Sequence, residues 1–179
     1  MTLCGPKRPK KKKTCELKLG LTLFRHGARQ EGGGLIQSIL QRDMEDQEAL
    51  QAYGEAALAL GQTEDALKIY LRLVVAKSED KTIKRMLART LMQPDGVRLL
   101  GTHLAPSKSS ASALAFLAGV TKDHSGVVPS IELYGQCVEH APENTSYALN
   151  LAHLHELHLR YDLAIDAILG HCDANPKAA

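Results

Sequence analysis

The chain has 179 residues, a net charge of +2, 4 % aromatic residues and no Trp, with Ala and Leu prominent among its apolar side chains. That balance suits closely packed helices and suits a sheet core poorly. No run of about 18 apolar residues is present, which excludes a hydrophobic spanning helix from the sequence.

Positive charge collects at the start. Lys7, Arg8, Lys10, Lys11, Lys12 and Lys13 precede the first acidic residue, Glu16, and the remainder is slightly acidic. The early lysines are followed by no apolar stretch with a small-residue cleavage site, so no secretory signal is read. The basic run buries no apolar area, so residues 1–34 are expected to be a disordered basic tail and linker. Those six residues are a nuclear import candidate; a merely solvated tail is the plainer reading. With no interleaved aromatics there is no platform for stacking bases, and nucleic acid is disfavoured as a partner.

Leu17, Leu19, Leu21 and Leu23 then alternate with Lys18, Gly20 and Thr22, a period-two pattern that predicts a short strand. Gly32-Gly33-Gly34 predicts a flexible joint. From Leu35 the period becomes helical, and Leu35, Ile36, Ile39 and Leu40 predict a lone helix reaching Arg42. Further on, two segments are alike. Ser130 to Val138, closed by Ala141-Pro142, corresponds to Ala164 to Cys172, closed by Asn175-Pro176, thirty-four residues later. Ala66 and Tyr70 fit the positions of Ser130 and Tyr134, with Gly54 on the helix before. A shortened unit lies between, with Pro94-Asp95-Gly96 as its turn.

A period of about thirty-four residues, small residues at the helix crossing and a closing proline resemble the tetratricopeptide repeat. The resemblance covers about residues 47–178 and departs from the family pattern in lacking Trp. It implies an all-α fold: a right-handed solenoid of about four helix-turn-helix pairs after the basic tail, with residues 35–178 as the repeat domain. The units are expected at about 47–80, 81–110, 111–144 and 145–178. It also implies a non-catalytic scaffold or adaptor, with a peptide or helix of a partner protein in the concave groove of the first helices. By that resemblance the groove carries Gln51, Glu55, Arg85, Arg89, Lys122, Leu149, His153 and Glu156. Arg85 and Arg89, one turn apart, resemble part of a carboxylate clamp, but the asparagines of such a clamp are absent and Glu55 would repel a carboxylate. No cofactor is expected.

One motif points elsewhere. Arg25-His26-Gly27-Ala28-Arg29 resembles the signature of histidine phosphatases, which implies that His26 takes up a phosphoryl group while Arg25 and Arg29 neutralise its oxygens. That family needs an α/β sheet, and nothing after Gly34 reads as a strand. His155-Glu156 resembles its second-histidine dipeptide but falls within a helix. A histidine-phosphatase-like enzyme is therefore the alternative to the scaffold, with no catalytic residue assigned in the main reading. His153, His155 and His158 cluster beside Glu156, yet they read as packed helix residues, and no metal is expected.

The four cysteines, Cys4, Cys15, Cys137 and Cys172, show neither metal spacing nor a disulfide framework. A cytoplasmic location with nuclear entry is expected. After Asn175-Pro176 only Lys177-Ala178-Ala179 remain, so the last pair is expected to lack a capping helix. The chain is then either a partial form of a longer repeat protein, or its last pair stacks on another chain through Leu149, Leu163, Ile165 and Leu169, giving self-association.

Overall fold

The computed structural model describes residues 10–102 and 107–176. Among these there are ten α-helices and no strand. The chain divides into two compact units, Met1–Ser78 and Glu79–Ala179.

The first unit holds α1 (Lys10–Arg25), α2 (Arg29–Leu40), α3 (Gln47–Ala59) and α4 (Thr63–Ala76). This corrects two expectations. The segment Leu17 to Leu23 is helical, not a strand. Its leucines alternate over only seven residues, while Leu17, Gly20 and Phe24 recur at three-to-four spacing; those three are buried and Leu19 is left outside. The glycine run is not a joint either, because it lies within α2. A Cβ on Gly32 would stand 2.5 Å from the Gly20 carbonyl oxygen and 2.6 Å from the Phe24 nitrogen. Gly32 is thus the point where two helix backbones touch. The lone helix expected from Leu35 is the second half of α2, and α1 with α2 forms a pair. Residues 10–25 and 29–34 are accordingly helical, joined by a turn at residues 26–28, while residues 1–9 lie outside the described residues.

The small residues of this first pair keep the register of the next one. Gly20 and Gly54 are thirty-four apart, as are Gly32 and Ala66, and Ile36 and Tyr70. Gly54 is also tightly placed, but against a side chain: a Cβ there would meet the Tyr70 ring at 2.9 Å. The pair turns follow the same count. Gly27 and Gly61 both have positive φ, 98° and 74°, the left-handed conformation that glycine adopts without a steric cost. Leu17, Ile36, Ile39, Ala49 and Ala52 form one core, with Leu21, Leu40 and Tyr53 packed on it. Burying each large aliphatic side chain stabilises the fold by about 1.5–3 kcal/mol. Ion pairs join the same helices at their rims: Arg42 with Glu16 at 3.1 Å, and Arg25 with Glu55 at 3.2 Å.

The second unit holds α5 (Lys81–Leu91), α6 (Gly96–Gly101), α7 (Lys108–Asp123), α8 (Val127–His140), α9 (Thr145–Leu157) and α10 (Tyr161–Ala174). Three first helices begin on side-chain caps. Asp80 accepts from Thr82 and Ile83, Asn144 accepts from Ser146, and Ser107 forms a reciprocal box with Ser110. That box starts α7 at Lys108, three residues before Ala111. α6 is short, and Gly96 explains how it can turn back at once: a Cβ there would stand 2.5 Å from the Thr90 carbonyl oxygen. Between α7 and α8, the Ser130 hydroxyl donates to the carbonyls of Ala118 and Gly126 at 3.0 and 2.7 Å. The Cys137 thiol donates to the Ala111 carbonyl at 3.4 Å. Tyr147 of α9 meets Tyr134 of α8, with ring centroids 6.5 Å apart. The turn positions are Ser125 and Leu159, again thirty-four apart and again of positive φ, 70° and 59°. In register, in the small residues at their crossings and in their turns, α1–α2, α3–α4, α7–α8 and α9–α10 are tetratricopeptide-like pairs, whereas α5–α6 has a second helix of only six residues and no positive-φ turn.

Candidate functional site

First helices carry the candidate groove, and their surface residues fall differently in the two units. In the first, Gln51 and Glu55 on α3 are half-buried, and the Glu55 carboxylate is already balanced by Arg25 of α1. In the second, Arg85 and Arg89 on α5 are exposed, Lys122 on α7 is half-buried, and Leu149, His153 and Glu156 on α9 are exposed. His153 and Glu156 lie one turn apart and face each other, with Nδ1 3.5 Å from Oε2.

α5 sets the electrostatics. Its apolar side, Ile83, Met86, Leu87 and Leu91, is buried, so its charges are confined to the opposite side. They are Lys81, Lys84, Arg85 and Arg89, with no acid in the helix. No described carboxylate pairs with Arg85, Arg89 or Lys122; the Arg89 guanidinium lies 3.9 Å from the Met86 sulfur. Lys84 reaches across to α7, where its ammonium lies 6.0 Å from the centroid of the Phe116 ring, a cation–π contact. Phe116 is 43 % exposed, and Met92, just after α5, is 42 % exposed. Sequence reasoning missed Phe116, because it is next to Ala115, the position that an ideal repeat turns to the groove. The signal was there in the form of a large aromatic outside the apolar stripe of Leu114, Leu117 and Ala118.

The remaining histidines separate by environment. His155 is in the last turn of α9; its Nδ1 is buried and makes no hydrogen bond with any described residue. Burial and then the Arg160 guanidinium hold its pKa below the ordinary value. His171, which the sequence did not single out, is buried and stitches α10 to the chain before it. Its Nδ1 stands 3.1 Å from the Pro142 carbonyl and its Nε2 3.0 Å from the Thr145 hydroxyl. The thiol of Cys137 is pushed up to about 12 by burial, so it stays a protonated small hydrophobe. Among the described residues, no group of three or more His, Cys, Asp or Glu side chains is placed to hold a metal ion.

The residues of the phosphatase-like motif form the turn between α1 and α2. Arg25, His26 and Arg29 are exposed there, and Gly27 occupies the same turn position as Gly61 of the next pair. Among the described residues no strand leads into this turn. Of the import candidates, Lys7 and Arg8 lie outside the described residues, and Lys10 to Lys13 form the first turn of α1. Lys13 has a structural duty as well: its ammonium faces the second carboxylate oxygen of buried Asp46, whose first oxygen caps α3. No described helix is long and apolar enough to cross a membrane.

No family model matches the chain, and no curated relative matches it. Solved structures do. A MamA from Desulfovibrio magneticus RS-1 is 15 % identical, with 90 % of this chain and 94 % of that one covered at a TM-score of 0.43. YrrB, described as a TPR protein with an unusual peptide-binding site, is 11 % identical, with 90 % and 86 % covered at 0.44. TTC0263, a thermophilic TPR protein of Thermus thermophilus, is 18 % identical, with 92 % of each chain covered at 0.42. Identities this low leave the partner of this chain to be read from its own residues.

Proposed function

We propose that the chain is a non-catalytic scaffold that binds a peptide or helix of a partner protein on the first-helix face of its second unit. The observation that supports this best is the surface of α5 and α7. Two exposed arginines with no acidic counterpart among the described residues stand on the same helix as Lys84, which lies over a half-exposed Phe116. Aromatic and arginine side chains are enriched where proteins bind one another. Such a surface suits an acidic segment that also carries a large apolar anchor. Lys122 on α7, and Leu149, His153 and Glu156 on α9, would extend it. Gln51 and Glu55 hold the corresponding positions on α3 of the first unit.

The test uses the full chain as bait and an acidic, leucine-containing partner segment recovered with it. Arg85→Glu with Arg89→Glu should weaken binding at least about tenfold, since each charge-assisted contact contributes roughly 1.5–3 kcal/mol. Arg98→Glu, on α6 and already paired with Asp95, should leave binding unchanged. Equal binding by all three proteins would overturn the assignment. The absence of catalysis is tested separately: phosphate-ester hydrolysis that disappears in His26→Ala would restore the enzyme. A cytoplasmic location with nuclear entry is part of the same proposal. Replacing Lys10, Lys11 and Lys12 by Gln should lower the nuclear fraction if the run is an import signal.

A further inference from the structure

α9 and α10 carry an open apolar edge. Ile165 and Leu169 are 58 % and 55 % exposed, and with Ala152, Tyr161, Ala164, Ile168 and one charged residue, Glu156, they line a cavity of about 390 Å³. The register says what such an edge ordinarily receives. Ile168 stands where Tyr134 stands one pair earlier and where Ile36 stands in the first pair. Tyr134 is met by Tyr147 of the following first helix, and Ile36 is covered by Ala49 and Ala52 of α3. The cavity therefore lies at the register positions that a following first helix covers in the earlier pairs.

The first helix of the first pair, α1, has its corresponding side bare. α3 packs on the pair before it through Ala49, Ala52 and Tyr53. The residues thirty-four before these are Cys15, Lys18 and Leu19 on α1, and all three are exposed. Charge agrees with a match between the two edges. On the bare side of α1 Lys18 is exposed, while Lys13 and Arg25 already face Asp46 and Glu55; α10 exposes Asp166 and Asp173, with Asp162 beside Arg160. We infer that the chain associates head to tail, with α1 of one copy seated on the α9–α10 edge of the next. The contact is heterologous, so each copy keeps one free edge of each kind, and the product grows or closes into a ring rather than stopping as a symmetric dimer.

Two full-length variants test this, each at an exposed residue and each placing a like charge in the contact: Leu19→Glu on α1 and Ile165→Lys on α10. Light scattering should show wild-type mass rising with concentration, while each variant alone stays at the 19.4 kDa of the monomer. An equimolar mixture should associate again, because the intact α10 edge of one variant meets the intact α1 of the other and the two introduced charges are opposite where the altered edges meet. Unchanged thermal midpoints show that neither variant has simply lost its fold. Wild type that is monomeric up to its solubility limit would overturn the inference. So would a Leu19→Glu protein that still dimerises while Ile165→Lys does not, since that pattern belongs to a symmetric contact of two α9–α10 edges.

Discussion

Gly32 and Gly33 are neighbours in α2 with opposite surroundings. A side chain at Gly32 would be driven into the backbone of α1, with Gly20 oxygen at 2.5 Å, whereas a Cβ on Gly33 meets nothing within 4 Å. Gly32→Ala should therefore cost about 1–3 kcal/mol, the usual range for overpacking. Gly33→Ala should gain about 0.5–1 kcal/mol, since glycine in a helix interior is the costlier residue. Urea midpoints of the two variants should move in opposite directions. His155 gives a pH dependence of fixed sign. Its folded pKa lies below the ordinary 6.5, with burial as the largest cause, Arg160 and His158 acting in the same sense and Asp162 opposing. The unfolded chain thus takes up the proton first as pH falls. Stability from this site is full above about 6.5, declines below it, and levels off once the native imidazole also protonates. His155→Gln should flatten that decline below about pH 6.5 in denaturant titrations. A variant as acid-sensitive as wild type would assign the effect to another group.

Among the elements, α3 shows how a cap and a charge combine. Asp46 is buried, its one oxygen accepts from the Ala49 amide at 2.9 Å, and Lys13 of α1 faces the other. Asp46→Ala removes both contacts and leaves an ammonium without its counter-ion, so it should cost more than the roughly 0.5–2 kcal/mol of a lost cap. Asp46→Asn keeps the acceptor and loses the charge, so its thermal midpoint should fall between wild type and Ala. The elements also show which parts of the fold the chain announces. The pairs from α7 to α10 were legible because Ser130 and Ala164, and Pro142 and Pro176, repeat at a fixed distance. α1 and α2 were not, although Gly20 and Gly54, and Gly32 and Ala66, obey the same count. Three glycines in a row look like a loop when the one that touches another backbone cannot be told from the two that touch nothing. At the candidate site, the exposure of Arg85 and Arg89 followed from the helical period of α5. Phe116 did not, because its exposure and its contact with Lys84 depend on how α5 and α7 cross.

At the scale of the whole molecule, the same misreading has a consequence for where the chain can be cut. The residues before Leu35 contain all of α1 and the first half of α2. Removing residues 1–34 would take away Leu17 and Phe24, the Gly20–Gly32 crossing, and the partners of Arg42 and Asp46. Ile36, Ile39, Ala49 and Ala52, which pack around Leu17 in one core, would be opened to water. Losing one buried leucine and one buried phenylalanine each costs several kcal/mol in a packed core, of the order of the whole stability of a small domain. A chain of residues 35–179 should therefore lose amide exchange protection throughout α2 and α3. The Tyr134–Tyr147 contact and the His171 bonds, which lie wholly in the second unit, give α8 to α10 support that this cut does not touch. Hydrogen exchange read by mass for the full chain and the shortened one decides it. Equal protection of Ile36 to Ala52 in both would mean that α1 adds nothing to the fold, and that the chain before Leu35 is a tail after all.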